Sequence, residues 1–175
     1  MNDTPIEIRQ EKATDYPAVY DVHTNAFGRK DEARLTDRLR LSNVFVPELS
    51  LVAFLDNELV GHIMFTQVAI VDNDKETVSL SLAPMAVIPA MQRKGIGCLL
   101  VNRGLSKARE LGYESVIVLG HREYYPRFGF EPTSKWGIKA PFNVPDHVFM
   151  GLELVKGAFS DVKGIVRYAR EFQEI

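Results

Sequence analysis

The sequence lacks several features that would assign the chain to a specialised class of protein. It has one cysteine, Cys98, so an intramolecular disulfide cannot form, and no Cys/His cluster has the spacing of metal ligands. The N-terminus has neither the basic start nor the apolar core of a signal peptide. No apolar run approaches the roughly 18 residues that a membrane span requires. We therefore expect a soluble, cytoplasmic protein with no metal and no membrane partner.

A charge excess of either sign is also lacking. The chain carries 21 basic and 23 acidic residues, a net charge of −2, so no long-range field favours nucleic acid as a partner. Repeats, low-complexity segments and long linkers are absent as well. The simplest interpretation is a single domain over residues 1–175, long enough to bury roughly 70% of the surface of the unfolded chain.

The first half of the chain has the periodicity of two helices followed by a strand meander. Pro17 is typical of a first helical turn, and Asp56-Asn57-Glu58 is typical of a hairpin connection. The expected elements are strand 5–11, a helix starting at Thr14 or Asp15, a helix over 31–41, and strands over 50–55, 59–71 and 77–88. Tight turns between these strands would make the meander antiparallel.

The pattern changes in the second half, where helix and strand alternate. A helix over 95–111 ends at Gly112, a typical C-terminal glycine, and precedes the continuous apolar run at 115–119. Together with strand 77–88, these elements predict a crossover that joins two parallel strands. The remaining expected elements are a short helical turn around 122–128 and strands near 147–155 and 164–170. The chain is thus predicted to be mixed α/β with one sheet.

Residues 92–97, Gln-Arg-Lys-Gly-Ile-Gly, lie at the strand–helix junction of this crossover. Two glycines let backbone amides turn toward one point, and the helix adds unpaired donors and its positive dipole end. Such an arrangement binds anions, although a lone Gly-x-Gly is equally compatible with an ordinary tight turn. The triphosphate-loop motif is absent, and Leu100 occupies the third glycine position of the dinucleotide fingerprint. We predict a phosphorylated ligand whose identity the loop leaves open.

Two segments of the chain form a combined pattern. Residues 82–97 are Leu-Ala-Pro-Met-Ala-Val-Ile-Pro followed after two residues by Gln-Arg-Lys-Gly-Ile-Gly, and residues 124–130 are Tyr-Tyr-Pro-Arg-Phe-Gly-Phe. In this order, they resemble the central motif and the later motif of the GNAT family of acyl-CoA N-acyltransferases. The order of elements before, between and after the motifs also fits, so the resemblance covers nearly the whole chain.

The resemblance implies a fold and a cofactor. The fold is α/β of the α+β type: a single mixed, mostly antiparallel central sheet of about seven strands with flanking helices, split between the fourth and fifth strands. The acyl donor is acetyl-CoA, with its diphosphate on the loop amides and its pantetheine arm along the fourth strand. Pro84, which lacks an N–H, supports a broken ladder just before Met85. The implied cofactor-binding residues are Met85, Ala86, Val87, Gln92, Arg93, Lys94, Gly95, Ile96, Gly97 and Tyr125.

The resemblance also implies catalytic roles for Val87 and Tyr125. The N–H of Val87 would act as a small oxyanion hole for the thioester carbonyl. Tyr125 lies four residues before Gly129, the spacing of the family's general acid. A phenol with a pKa near 10 stays protonated at neutral pH and can donate to the departing thiolate. Tyr124 is the alternative, because two adjacent residues of a short helix cannot both point inward.

The general base and the acceptor remain open. Strand 77–88 contains no Asp or Glu, so the amine could lose its proton to water, to His62 or to Glu48. A lone histidine such as His62 is more often a packed sheet residue than a base. In this family the acceptor wall is formed by the region that here carries Asp21, His23, Glu32 and Glu48. Core packing is the expected role of Cys98, and of most of Trp136, Phe142, Phe149 and Phe159, which could otherwise line the acceptor cleft.

The leading hypothesis is an N-acetyltransferase that uses acetyl-CoA to acetylate a primary amine by direct attack in a ternary complex. The acceptor would be a small molecule or a peptide, and the protein a monomer or homodimer. The missing strand carboxylate motivates an alternative, a catalytically silent acyl-CoA-binding module for regulation or interaction. A third, weaker hypothesis is a different phosphate-ligand enzyme, such as a nucleotide binder.

Overall fold

The structure is a computed structural model, and it describes residues 4–174. Its elements are β1 (Glu7–Gln10), α1 (Tyr16–Phe27), α2 (Asp31–Arg40), β2 (Phe45–Leu55), β3 (Glu58–Asp72), β4 (Lys75–Val87), α3 (Ile96–Glu110), β5 (Ser115–Leu119), β6 (Glu131–Pro132), β7 (Ile138–Lys139), β8 (Phe149–Glu153) and β9 (Gly164–Arg167). Short 3-10 turns include Tyr125–Phe128 and Arg170–Glu174. Across the described residues, no helix is both long and apolar enough to cross a bilayer.

All nine strands of the described chain belong to one sheet, which is mixed and mostly antiparallel as predicted. The strand order is β1-β2-β3-β4-β5-β8-β6, while β9 pairs with β3 and β7 pairs with β9. The pairs β4–β5 and β7–β9 are parallel. The sheet has more strands than the expected seven because β6 and β7 have two residues each, which is too short to show a periodicity.

Tight turns set the register of the meander. Asp56 and Asn57, which join β2 to β3, have φ values of 50° and 65°. Positive φ at both central residues is the geometry of the hairpin turn that matches strand twist. The predicted start of β2 at residue 50 was wrong, since the strand begins at Phe45. A register shift between Phe45 and Ser50 places Pro47 in an irregular stretch, and a proline normally counts against a strand.

Strands β4 and β5 separate soon after they meet. Their parallel pairing consists of Leu80 with Val116 and Ser81 with Ile117. On the other side of β4, Ile63 pairs with Met85 and Phe65 with Leu82, so two residues of β4 stand opposite one of β3. These two residues are Ala83 and Pro84, which confirms the predicted broken ladder before Met85. Such a bulge bends a strand. The predicted split between the fourth and fifth strands is therefore confirmed.

The two faces of the sheet are covered by different helices, because successive residues of a strand point to opposite sides. Ile63 and Phe65 of β3 belong to the buried cluster that includes residues of α3. Met64, between them, packs instead with residues of α2. Helix α3 approaches closely because Gly104 faces Phe65: a Cβ at position 104 would lie 2.2 Å from the ring. A glycine at this position therefore allows a close contact between α3 and β3.

A chain of buried polar groups lies on the face covered by α1 and α2. His23 Nε2 and His62 Nδ1 are 2.8 Å apart, and His62 Nε2 is 2.9 Å from the hydroxyl of Ser50. Glu11 lies 3.5 Å from His62 Nε2 and accepts two hydrogen bonds of 2.9 Å from Arg40. Both histidines are fully buried. The polar chain thus ties β1, α1, α2 and the central strands together.

Burial keeps both histidines neutral. The loss of hydration lowers the pKa of His23 to about 4, an effect that Arg40 reinforces and Glu32 opposes. Burial also lowers the pKa of His62 well below its ordinary value, with His23 and Arg40 adding to the shift. Both groups therefore bind protons more readily in the unfolded chain than in the folded protein.

We expect the free energy of unfolding to fall as the pH drops from about 6.5 toward 4. In this window the unfolded chain protonates its histidines while the folded protein does not, so stability decreases with decreasing pH. The limiting slope is about 1.4 kcal/mol per pH unit for each buried histidine. Urea unfolding at pH 7, 6 and 5 measures the slope directly.

His23→Gln should reduce this slope whatever its effect on absolute stability, because one titrating group is removed. The matched control is His147→Gln, since His147 is exposed and its replacement should leave the slope unchanged. An unchanged slope in His23→Gln would assign the acid sensitivity to other groups.

Candidate active site

Two cavities lie against successive parts of β4. The first, which we call the loop cavity, has a volume of about 590 Å³. It is lined by Ala26, Phe27, Met85, Ala86, Val87, Met91, Gln92, Arg93, Gly95, Ile96, Gly97, Cys98, Tyr124 and Arg127. The second, the apolar cleft, has a volume of about 650 Å³ and is lined by residues 81–83 of β4 together with Leu119 of β5 and residues from the C-terminal part of the chain. The cavities thus flank the region where β4 leaves β5.

The loop over residues 92–97 leaves its amides without partners from Arg93 onward. Arg93 and Gly95 have φ values of 62° and 85°, which turn successive N–H groups out of a regular ladder. None of the amides of residues 93–98 donates to another described group, and α3 begins without a side-chain cap. Arg93 and Lys94 are exposed beside them. This arrangement has the geometry and the charge of an anion site.

Tyr124 closes the loop cavity above Gly97. A Cβ at position 97 would lie 2.8 Å from the hydroxyl oxygen of Tyr124, so a larger residue there would require the Tyr124 side chain to shift. The Tyr124 hydroxyl donates to Cys98 Sγ at 3.7 Å, and the Arg127 guanidinium lies 4.6 Å from the centre of the Tyr124 ring. Burial is the largest cause of a raised pKa for Tyr124, which therefore stays protonated.

The end of β4 leaves backbone groups unpaired. Ile88 donates to the carbonyl of Val60 on β3 at 3.0 Å. Because N–H directions alternate along a strand, the amide of Val87 points away from β3, toward the side where β5 has already separated. The carbonyl of Val87 accepts a hydrogen bond of 3.0 Å from the side chain of Gln92. By the same alternation, the amide of Met85 also faces the gap between β4 and β5.

Tyr125 lies deeper than Tyr124 and does not line the loop cavity. It is 8% exposed and belongs to the buried cluster that includes Leu82 and Val118. Its ring packs on Gly120, directly after β5, where a Cβ would lie 2.3 Å from Tyr125 Cε2. Its hydroxyl has no hydrogen-bond partner among residues 4–174. Burial raises the pKa of Tyr125 to about 12, so this phenol is also protonated at neutral pH.

The structure brings most of the expected cofactor residues together, with two exceptions. Met85, Ala86, Val87, Gln92, Arg93, Gly95, Ile96 and Gly97 all line the loop cavity. Lys94 is exposed outside the lining, and Tyr125 is in the core. Adjacent tyrosines therefore take different positions, as their crowding in a short helical turn requires.

Cys98 is not the packed core residue that we expected. Its thiol accepts from Tyr124 and from Arg127 Nη1, the latter at 3.8 Å, and it lines the loop cavity. No sequence pattern indicates this contact, because Arg127 comes 29 positions later along the chain.

The candidate bases are not at either cavity. His62 is buried in the polar chain, in agreement with its interpretation as a packed sheet residue. Glu48 lies in a separate groove with Ile8 and Arg103. None of these three residues lines the loop cavity or the apolar cleft. The other acceptor-wall candidates are likewise elsewhere: Asp21 is exposed, Glu32 pairs with Arg29, and His23 is buried. Among the described residues, no Asp or Glu lines either of the two cavities.

The aromatic side chains divide between core and cleft. Phe149 and Phe159 are buried, and Trp136 packs on Phe159 with their ring centres 4.8 Å apart. Phe142 lines the apolar cleft and is 45% exposed. Within residues 4–174, no group of three or more His, Cys, Asp or Glu side chains is arranged to hold a metal ion.

Comparison with known proteins gives consistent results. A family model described as an acetyltransferase (GNAT) domain matches residues 7–133. The chain is 39% identical to the uncharacterised N-acetyltransferase YjhQ of Escherichia coli (strain K12) over 134 residues, which cover 76% of this chain and 74% of that protein. It is 30% identical to the uncharacterised N-acetyltransferase YhbS of the same strain over 166 residues, 94% of this chain and 97% of that protein.

Solved structures agree in fold. The structure of Escherichia coli YhbS in complex with CoA superposes with a TM-score of 0.91 at 27% identity and covers 99% of this chain and 94% of its own. A GNAT family acetyltransferase from Brucella melitensis in complex with acetyl-CoA gives a TM-score of 0.78 at 29% identity, with coverage of 97% and 99%. The family match spans most of the sequence and the relatives align along most of their length, so the chain belongs to the GNAT acetyltransferase family.

Proposed function

We propose that the protein transfers the acetyl group of acetyl-CoA to a primary amine of a small-molecule or peptide acceptor, by direct attack in a ternary complex. The observation that carries the proposal is the set of unpaired backbone amides along the loop and the end of β4, which face one cavity. The relatives are named N-acetyltransferases, and two related structures hold CoA or acetyl-CoA. The proposed catalytic unit is one domain over residues 1–175.

The diphosphate of the cofactor would lie on the loop. The free amides of residues 93–98 offer donors, and the positive end of α3 favours the negative charge. Arg93 and Lys94 add long-range attraction, and Arg127 also lines the cavity, beside Cys98. Gln92 contributes indirectly to cofactor binding, because its side-chain amide donates a hydrogen bond to the carbonyl of Val87.

The pantetheine arm would extend along β4 in place of the missing partner strand. The amides of Met85 and Val87 face the gap and can donate to an extended chain, whereas the amide of Ala86 points toward β3. We assign the amide of Val87 to the thioester carbonyl, because this amide is directed into the gap. A hydrogen bond that strengthens as the carbonyl oxygen becomes negative lowers the barrier to attack.

The reaction needs one bond to form and one to break. The neutral amine attacks the thioester carbon and forms the C–N bond, and the oxygen takes up negative charge facing the amide of Val87. The C–S bond then breaks as the C=O bond re-forms, and the departing thiolate takes a proton from Tyr125, whose phenolate regains a proton from water. The acceptor nitrogen releases its own proton to water, because no carboxylate lines either cavity among the described residues.

We assign the acid role to Tyr125 rather than to Tyr124. Tyr125 has the family spacing to Gly129, a hydroxyl without a partner among the described residues, and a ring that packs on Gly120, directly after β5. Tyr124 has its hydroxyl engaged with Cys98 and lies over Gly97, at the phosphate end of the loop cavity. A cytoplasmic location and a monomeric or homodimeric state stay predictions from the sequence.

Tyr125→Phe should lower turnover roughly 10²-fold or more, the usual contribution of a general acid, with CoA affinity nearly unchanged. Tyr124→Phe is the matched control, since it removes a neighbouring hydroxyl and should leave turnover within a few-fold. Thiol release from acetyl-CoA across a panel of amines gives the rates, and calorimetry with CoA gives the affinities.

The reverse result, in which Tyr124→Phe abolishes turnover and Tyr125→Phe does not, would transfer the acid role to Tyr124. Tight binding of acetyl-CoA by the wild-type protein without thiol release for any amine would favour the silent acyl-CoA-binding module. Failure to bind CoA alongside clear binding of a nucleotide would favour the third hypothesis.

Gly95→Ala should weaken CoA binding about tenfold, because an alanine resists a φ of 85° and the loop amides would turn away from the ligand. Gly112→Ala is a closely matched control: Gly112 has a φ of 86°, and a Cβ at either position meets open space. Both variants should lose about 1 kcal/mol of stability from left-handed strain. Equal CoA affinities for the two variants, measured by calorimetry, would remove the cofactor from this loop.

A further inference from the structure

The apolar cleft lies beside the gap between β4 and β5, and it shares no lining residue with the loop cavity. Ala83 of β4 and Leu119 of β5, one from each of the separating strands, both line it. The loop cavity begins two residues further along β4, at Met85. A molecule in the cleft therefore reaches the gap between β4 and β5 without displacing a cofactor in the loop cavity.

The wall of the cleft is mostly hydrocarbon and aromatic surface. The ring of Tyr168 stacks on Phe142 with a centroid distance of 6.0 Å and an interplanar angle of 25°, and it also packs on Phe172 at 5.2 Å. Three large apolar side chains at the cleft remain exposed: Leu119 by 46%, Phe142 by 45% and Ile165 by 51%. Apolar surface gathered in a cavity of this size is typical of a small-molecule site.

The charges of the cleft exclude one broad class of amine. Among the described residues, no carboxylate lines it, and its one cationic side chain is Arg167. Arg167 is bound by both oxygens of Glu76, at 2.8 and 3.0 Å, so Glu76 is already engaged. Burial raises the pKa of Tyr168, which keeps that phenol neutral. A polyamine or a polycationic sugar would find no anionic partner here and would lose hydration on entry.

We propose that the apolar cleft is the acceptor site and that the acceptor is a primary amine on an aryl or alkyl body without further cationic groups. This inference rests on the proposed acetyl transfer. The aromatic wall of Phe142, Tyr168 and Phe172 holds the apolar body, and the amine is directed toward the gap between Ala83 and Leu119. Specificity comes from apolar contact and from the absence of carboxylates.

The test compares 2-phenylethylamine and n-hexylamine with spermidine, using thiol release from acetyl-CoA and calorimetric binding to the CoA-loaded protein. We expect the two apolar amines to have kcat/KM values at least about tenfold above that of spermidine, since the additional ammonium groups of spermidine lose hydration in a cleft without a carboxylate. Leu119→Glu, which places a carboxylate in the cleft lining beside the gap, should lower the preference about tenfold by favouring spermidine. Val155→Glu is the control, because Val155 is 51% exposed and lies outside the cleft.

The outcomes separate the cleft from the reaction. If the apolar amines bind and Leu119→Glu weakens that binding while no amine accelerates thiol release, the cleft assignment stands and the proposed transfer fails. If spermidine is the better substrate, or if Leu119→Glu and Val155→Glu behave alike, the transfer stands and the acceptor assignment fails. Faster thiol release from long-chain acyl-CoA than from acetyl-CoA would indicate that the cleft binds the acyl chain of the donor, and this result would overturn the proposal.

Discussion

The hydrogen bonds that β4 and β5 do not make determine the rest of the site. Parallel pairing ends at Ser81, and the bulge at Ala83 and Pro84 bends β4 away from its neighbour. Buried backbone donors without partners are costly, so a strand edge of this kind is stable only when water or a ligand completes it. The free edge of β4 can therefore hydrogen-bond an extended polar chain. The unpaired amides of the neighbouring loop can bind an anionic group at the end of that chain.

The parts of this arrangement that were predictable have local causes. Pro84 cannot donate to a ladder, so the break in β4 follows from one residue and its neighbours. Asp56 and Asn57 accept positive φ, which fixed the hairpin that precedes β4. Gly95 and Gly97 marked the loop because their spacing and their position between a strand and a helix were visible together. In each case the relevant atoms are within a few residues of one another.

The parts that were not predictable depend on contacts between distant segments. His23 meets His62 across 39 positions, and the sequence shows only two isolated histidines. Cys98 contacts Tyr124 because Gly97 leaves room for the Tyr124 ring, which belongs to the segment that follows β5. The choice between Tyr124 and Tyr125 depends on the space next to Gly120, which no periodicity describes. The apolar cleft likewise joins Leu119, Phe142 and Ile165, which are scattered along the second half of the chain.

The missing base and the apolar cleft have a common physical explanation under the proposed acceptor assignment. An ammonium group that enters a cleft without a carboxylate loses hydration and gains no opposite charge. Desolvation of this kind lowers the pKa of an amine, so the proton leaves to water at the mouth of the cleft before attack. A carboxylate at the same place would hold the ammonium form and slow its conversion to the nucleophile. The absence of Asp and Glu from the described cleft lining therefore contributes to the chemistry, since it selects for the neutral amine that attacks the thioester.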